Sequence, residues 1–320
     1  KHLIGAIDLL ETLLSVGFAA DIGMEFARQL PVSLLDFFLV GGLQEGKGGL
    51  IGQEQVLGVV LRAEQLLCFA GDDVRGQEET TLGRNAGDPP APLLFTSFRG
   101  NGEDGLHLAW SQDGYTWTPL KNDKPLLRPE VGGGLMRDPQ ILQGPDGTFH
   151  MVWTTAWNKH GIGYANSKDL VHWSKQKLLD VMKNEPQARN VWAPELFYDA
   201  AQKQFIIFWA STIPGRFPAA DKTGDDGYNH RMYFTVTTDF DRLEPAKLLY
   251  DPGFNVIDAT IVQDGKRFAM FLKDETRHPP AKNLRVATAE APAGPYGPPS
   301  APITGKYWAE GPSAIKLGDK

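Results

Sequence analysis

The sequence predicts an all-β fold: a five-bladed β-propeller over residues 89–320, its last blade cut short, behind a helical or irregular extension over residues 1–88. Three observations lead there. All eight Trp and all eight Tyr lie in residues 89–320. One unit recurs four times: an acid, an apolar strand, a polar turn and a second apolar strand. Alternating with it runs a second unit, in which an apolar strand and a Ser/Thr/Ala-and-acid turn precede an aromatic or apolar anchor.

Taken in order, residues 1–88 are rich in Leu, Gly, Gln and Glu. The stretch IDLLETLLSVGFAADIGMEFARQL spaces its apolar residues three to four apart, as a helix does, and EQVLGVVLRAEQLLCFA reads as a second helix. GGLQEGKGGLIGQ breaks them, and GRNAGDPPAP (Gly83 to Pro92) is a linker. The extension is either a helical add-on or upstream sequence outside the functional unit, and it is assigned no chemistry.

The first repeating unit appears as RDPQILQGPDGTFHMVWTT from Arg137, APELFYDAAQKQFIIFWAS from Ala193, IDATIVQDGKRFAMFLKDE from Ile257 and AEGPSAIKLGDK from Ala309. Their acids, Asp138, Glu195, Asp258 and Glu310, stand 57, 63 and 52 residues apart. The second unit appears in GLHLAWSQDGYTWTPL, GIGYANSKDLVHWSKQ and two looser copies, with anchors Trp117, Trp173, Leu243 and Tyr296. Trp117 and Trp173 read as blade packing. LLFTSF (Leu93 to Phe98) supplies an opening strand. Blades are expected around 93–120, 138–176, 193–249 and 257–299, with a fifth beginning near 308. The first strand of a propeller blade lines the central channel, so the pattern sends all four acids toward one axis. That answers why a carboxylate such as Asp258 sits in an apolar run, where it would otherwise cost free energy.

Composition bounds the function. A net charge of −7 with no basic stripe argues against nucleic acid or an anionic membrane surface as partner. The single Cys68 reads as a small buried apolar residue and excludes an internal disulfide framework. No apolar run reaches about 18 residues, and no signal peptide is visible. His150, His160, His172, His230 and His278 show no close metal-ligand spacing, and most of them read as surface or strand residues.

The strings RDPQI, WAPELFYD, NVIDATI and AEGPSAI, in this order and spacing, resemble glycoside hydrolase family 43, within its five-bladed arabinofuranosidase and xylosidase group. The resemblance covers about residues 93–320. It implies an inverting glycosidase with Asp138 as general base, Asp258 as pKa modulator and Glu310 as general acid. It implies an oligo- or polysaccharide partner, an extracellular or periplasmic location, and α-L-arabinofuranosidase activity ahead of β-xylosidase or another exo-glycosidase. Two departures stand out: a complete blade precedes the RDP strand, and the closing blade is missing.

Inversion needs two carboxyls about 6.5–9.5 Å apart, one ionised and one protonated. Glu310 fits the protonated role if it is partly desolvated near Trp308 and close to Asp258. No cofactor or metal is required, and no ligands for a structural calcium are identified. Sugar rings need apolar platforms and polar hooks. Trp157, Trp192, Trp209 and Trp308 are platforms to consider, Arg137, Arg216, Lys273 and Glu275 hooks, and Glu195 a substrate contact or a blade-to-blade acceptor. The run from Ser211 to His230 reads as a long loop over the channel mouth. Two other readings stay open: a non-catalytic carbohydrate-binding propeller, and a glycoside phosphorylase, for which Arg137, Arg216 and Lys273 are scattered support.

Overall fold

The computed structural model describes residues 92–224, 227–305 and 307–315, together with the backbone of 60–62. The helices read in residues 1–88 lie outside the described residues apart from 60–62, as does Cys68.

Four antiparallel sheets follow one another along the chain as propeller blades. The first contains β1 (Val60–Arg62), β2 (Leu93–Ser97), β3 (His107–Ser111) and β4 (Thr118–Pro119). The second contains β5 (Arg137–Gln143), β6 (Phe149–Thr154), β7 (Ile162–Ser167) and β8 (Lys177–Leu179). The third contains β9 (Trp192–Asp199), β10 (Gln204–Ser211), β11 (Arg231–Thr237) and β12 (Lys247–Tyr250), and the fourth β13 (Val256–Asp264), β14 (Arg267–Asp274) and β15 (Asn283–Ala289). No strand follows Ala289 among the described residues, so the AEGPSAI segment belongs to no sheet there. The outer edge of β15 is covered instead by irregular chain, with Gly297, Ser300 and Ile303 donating to the carbonyls of Thr288, Val286 and Leu284.

One expectation shifts in the first blade. Leu93–Ser97 is its second strand, because Val60, Leu61 and Arg62 pair with Phe95, Leu94 and Leu93. Those three residues fall in the stretch that reads as a second helix. Strand pairing across about thirty residues overrides local periodicity there.

The blades are joined by three apolar clusters, one for each junction between successive sheets. Strand β10 shows why its sequence is almost continuously apolar. Phe205, Ile207 and Trp209 pack with residues of the second sheet, while Ile206, Phe208 and Ala210 pack with those of the fourth. Successive side chains of a strand face opposite ways, and both faces here are covered. Between strands three and four the second repeating unit forms one turn three times. Asp113, Asp169 and Asp239 accept backbone N–H groups two and three residues on, and a residue in the left-handed region follows each: Gly114, Leu170 and Phe240. The anchors close the turn, with Trp117 and Trp173 donating from Nε1 to the carbonyls of Gly114 and Leu170. Gly163 has no tolerance for a side chain, because a Cβ there would stand 1.9 Å from the buried Trp153 ring.

Candidate active site

The blade-opening segments share a backbone device. Asp138, Ala193, Asp258 and Gly311 have φ of 50°, 45°, 54° and 53°. Where strands pair, the ladder slips at these points: between Arg137 and Gln140, opposite Phe208 to Ala210, and between Ile257 and Thr260. A bulge of this kind re-aims a side chain. A left-handed non-glycine residue costs about 1–2 kcal/mol, which the packed blades must impose. Asp tolerates the conformation better than most residues, and Gly311 adopts it freely.

The structural repeat therefore aligns Asp138 with Ala193, Asp258 and Gly311. The acid-to-acid alignment that pairs Glu195 with Asp138 is off by two residues, since Glu195 occupies the position of Gln140 and Thr260. Gln140 reaches the backbone of Leu196 on the next blade, and Thr260 of the next blade hydrogen-bonds Glu195. Glu195 is not part of the cavity lining and serves as a blade-to-blade acceptor. Burial pushes its carboxyl up to about 8, against the Thr260 bond and with a further push from Asp258.

A cavity of about 490 Å³ gathers the bulged residues and their predecessors. Arg137 and Asp138, Trp192 and Ala193, Ile257 and Asp258 all line it, and Glu310, which precedes Gly311, completes the series. The three acids Asp138, Asp258 and Glu310 thus meet in one hollow from segments 120 and 52 residues apart in sequence. Thr154, Trp157, Tyr228, His230, Asn255, Lys273, Glu275, Arg277 and Lys282 supply the rest of the wall.

Asp138 is held from two sides. The Thr154 hydroxyl donates to its Oδ2 at 2.9 Å and itself accepts the Ala193 N–H at 2.9 Å. Burial pushes the Asp138 carboxyl up, while Arg137, Thr154 and the Ala193 N–H pull it down. Asp258, whose side chain is 11% exposed, receives the Gly311 N–H at 3.3 Å. Burial raises its carboxyl to about 7; Lys273 opposes that, and Glu310, Asp138 and Glu275 add to it.

The wall opposite in character is aromatic. Trp157 meets Trp192 edge-on, and Trp192 stands 4.8 Å from Tyr228 and 4.9 Å from His230. Arg137 lies between the rings of Phe98 and Trp157, at 4.8 and 4.5 Å. His230 is 2% exposed rather than a surface residue, and burial lowers it to about 4, so it stands neutral above that pH. Asn255 Oδ1 accepts its backbone N–H at 2.7 Å and lies 3.1 Å from its Nδ1.

Several residues fall elsewhere than the sequence suggests. Arg216 lies outside the cavity, in a two-pronged ion pair with Glu185 at 2.8 Å for each bond. Trp209 is fully buried in the junction between the second and third blades and is no sugar platform. Trp308 is 40% exposed and not part of the lining; its ring lies 6.0 Å from the Arg277 guanidinium. Thr154, Asn255, Arg277 and Lys282 join the site unannounced, while Tyr228 and His230 come from the end of the Ser211–His230 loop that the sequence sets over the channel mouth. Apart from Thr154, the last residue of β6, they lie in or beside loops, where no strand periodicity marks them.

Residues 88–316 match the family described as "Probable glycosyl hydrolase domain", a group related to glycoside hydrolase family 43. The chain belongs to this family. This family member is 24% identical, over 63% of its own chain, to an α-L-arabinofuranosidase of Bifidobacterium longum subsp. longum. The match spans only 21% of that relative. Among solved structures, a thermostable family-43 glycoside hydrolase superposes with a TM-score of 0.50 at 12% identity, covering 80% of this chain and 75% of that one. An exo-β-1,3-galactanase from Phanerochaete chrysosporium, crystallised with β-1,3-galactotriose, gives 0.48 at 11% identity, over 82% and 53%. The likeness to the family-43 hydrolase is one of fold.

Proposed function

We propose that this propeller hydrolyses O-glycosidic bonds with inversion, releasing terminal pentose residues from plant-type glycans, with α-L-arabinofuranosides as its substrates. The reading rests on the meeting of Asp138, Asp258 and Glu310 in one sugar-sized cavity. In it, Asp138 takes a proton from a water that attacks the anomeric carbon. The bond from that carbon to the leaving oxygen breaks as Glu310 donates its proton to the oxygen. Asp258 hydrogen-bonds the sugar and shapes the field around Glu310. The Trp192, Tyr228 and Trp157 wall offers apolar faces to the ring, and Arg137 offers a donor beside them. Support for a pentose comes from the Bifidobacterium relative's described activity.

The test is hydrolysis of nitrophenyl α-L-arabinofuranoside, β-D-xyloside and β-D-galactoside by the chain and its Asp138→Asn and Glu310→Gln variants. Release from the arabinofuranoside, abolished in both variants, is expected. A dominant rate on the xyloside or galactoside moves the substrate and keeps the chemistry. Sugar binding without turnover of any of the three points to a carbohydrate-binding propeller.

A further inference from the structure

Glu310 is held by the fourth blade. Its segment pairs with no strand among the described residues. The backbone on either side is pinned to the fourth blade by the Ala309 N–H on the Lys282 carbonyl, at 2.8 Å, and by the Gly311 N–H on Asp258. The carboxyl itself is met by the Lys273 ammonium at 3.0 Å and, more distantly, by Lys282 at 3.8 Å. Lys273 comes from β14, opposite Ile257 and so next to the bulge that turns Asp258 into the cavity.

Lys273 does more than touch Glu310. Its side chain is 4% exposed, and its Nζ also lies 2.7 Å from Glu275 Oε2 and 3.8 Å from Asp258 Oδ2. Three carboxyls therefore surround one buried ammonium. Lys282 contacts two of them, Glu275 and Glu310, and Arg277 approaches Glu275 at 3.6 Å. Asp138 acts on Asp258 from the second blade, Asp258 in turn acts on Glu195 of the third, and His230 feels the charges of Glu275 and Lys273. An ammonium has three N–H directions. Here three carboxyls lie within 4 Å of the ammonium, with Glu275 the nearest, so Lys273 is already engaged with acids of the cavity wall.

We propose that Lys273 is a positioning residue, whose ammonium gathers Asp258, Glu275 and Glu310 around one point and so orients the proposed acid through the N–H group that its carboxyl oxygen meets. The inference deepens the glycosidase reading and rests on it for its kinetic test. Without the ammonium Asp258 loses the cation that favours its ionised form, and Glu310 loses its closest side-chain anchor. Removing Glu275 instead takes a negative charge away from Asp258 and acts in the opposite sense.

The experiment compares Lys273→Met, Lys273→Arg, Lys282→Met and Glu275→Gln in the full chain, on the nitrophenyl glycoside that the unmodified chain cleaves. Lys273→Met should lower kcat by about a hundredfold, with KM little changed. The acid limb of its kcat/KM profile, which carries the ionisation of Asp258 together with that of Asp138, should move to higher pH by about one unit. Lys273→Arg should restore much of kcat, Lys282→Met should cost less than Lys273→Met, and Glu275→Gln should move the acid limb down. A raised KM with kcat retained in Lys273→Met makes Lys273 a substrate contact and overturns the proposal. So does a pH profile that superimposes on that of the unmodified chain. Should Lys273→Met not fold, the direction of the Glu275→Gln shift decides, and no downward shift overturns it. Should no glycoside be cleaved, carboxyl-carbon NMR of Asp258 decides separately. An upward titration shift in Lys273→Met sustains the node while the glycosidase reading falls, and an unchanged titration rejects the node.

Discussion

Thr154→Val isolates one hydroxyl that touches the proposed base. Thr154 is 1% exposed, and its hydroxyl is the side-chain donor to Asp138 Oδ2 at 2.9 Å. A hydrogen bond to an ionised group contributes about 1.5–3 kcal/mol. It favours the charged carboxylate over the neutral acid, and one pH unit corresponds to 1.36 kcal/mol, so its loss should raise the Asp138 pKa by about 1–2 units. Arg137 and the Ala193 N–H remain to hold the carboxylate, which keeps the shift toward the smaller figure. A base must be ionised to work. Activity then fails on acidification at a higher pH in the variant than in the parent. The assay is kcat/KM against pH on an aryl glycoside, which reports groups of the free enzyme. Thr154→Ser, which keeps the hydroxyl, should retain the parental limb. An acid limb that stays in place in Thr154→Val, or moves down, would refute the assignment of Asp138 as base.

Other predictions follow from the placements. Arg216→Ala should leave kcat/KM within about twofold, since the residue pairs with Glu185 outside the cavity; a large rise in KM would return it to the site. Glu195→Gln should stabilise the fold more at pH 8 than at pH 5, by urea denaturation. The native carboxyl titrates near 8 and the unfolded one near 4.3, so its stability contribution is complete at low pH and lost as pH rises toward 8. An equal effect at both pH values would contradict that. The turn aspartates act in the other direction. Asp169 is held below the ordinary range first by the His172 side chain and then by backbone N–H bonds, Asp239 is lowered by backbone N–H bonds, and Asp113, bonded likewise, falls to about 2. Their contribution is present above about pH 4 and lost below it. The urea midpoint of Asp169→Asn should accordingly depend less on pH in that acid window than the parent's does.

Much of this was legible in the sequence, for reasons that also explain the failures. The blades announce themselves because each needs two apolar strands and a turn, and turn chemistry is local: Ser111–Asp113 and Ser167–Asp169 carry it in two side chains. Asp138, Asp258 and Glu310 were readable because acids in apolar runs are costly and these recur. The register of the third blade was not. The eye aligns Glu195 with Asp138, whereas the backbone aligns Ala193, whose left-handed φ leaves no mark on its side chain. The Pro that follows Asp138, Ala193 and Gly311 is the signal that could have set the alignment. Val60–Arg62 could not be found by periodicity, since three residues carry too little pattern and the pairing is non-local. Lys282 and Arg277 reach the cavity from a Pro-Pro loop, and Tyr228 and His230 from the long loop before β11, so only the fold brings them in.

The stereochemistry of the first-formed product tests the central claim most directly. Early-time proton NMR of hydrolysis, read before mutarotation, should show the anomer opposite to that of the substrate, as two carboxyls working across a water require. Release of the retained anomer would contradict an Asp138 base acting on water opposite a Glu310 acid.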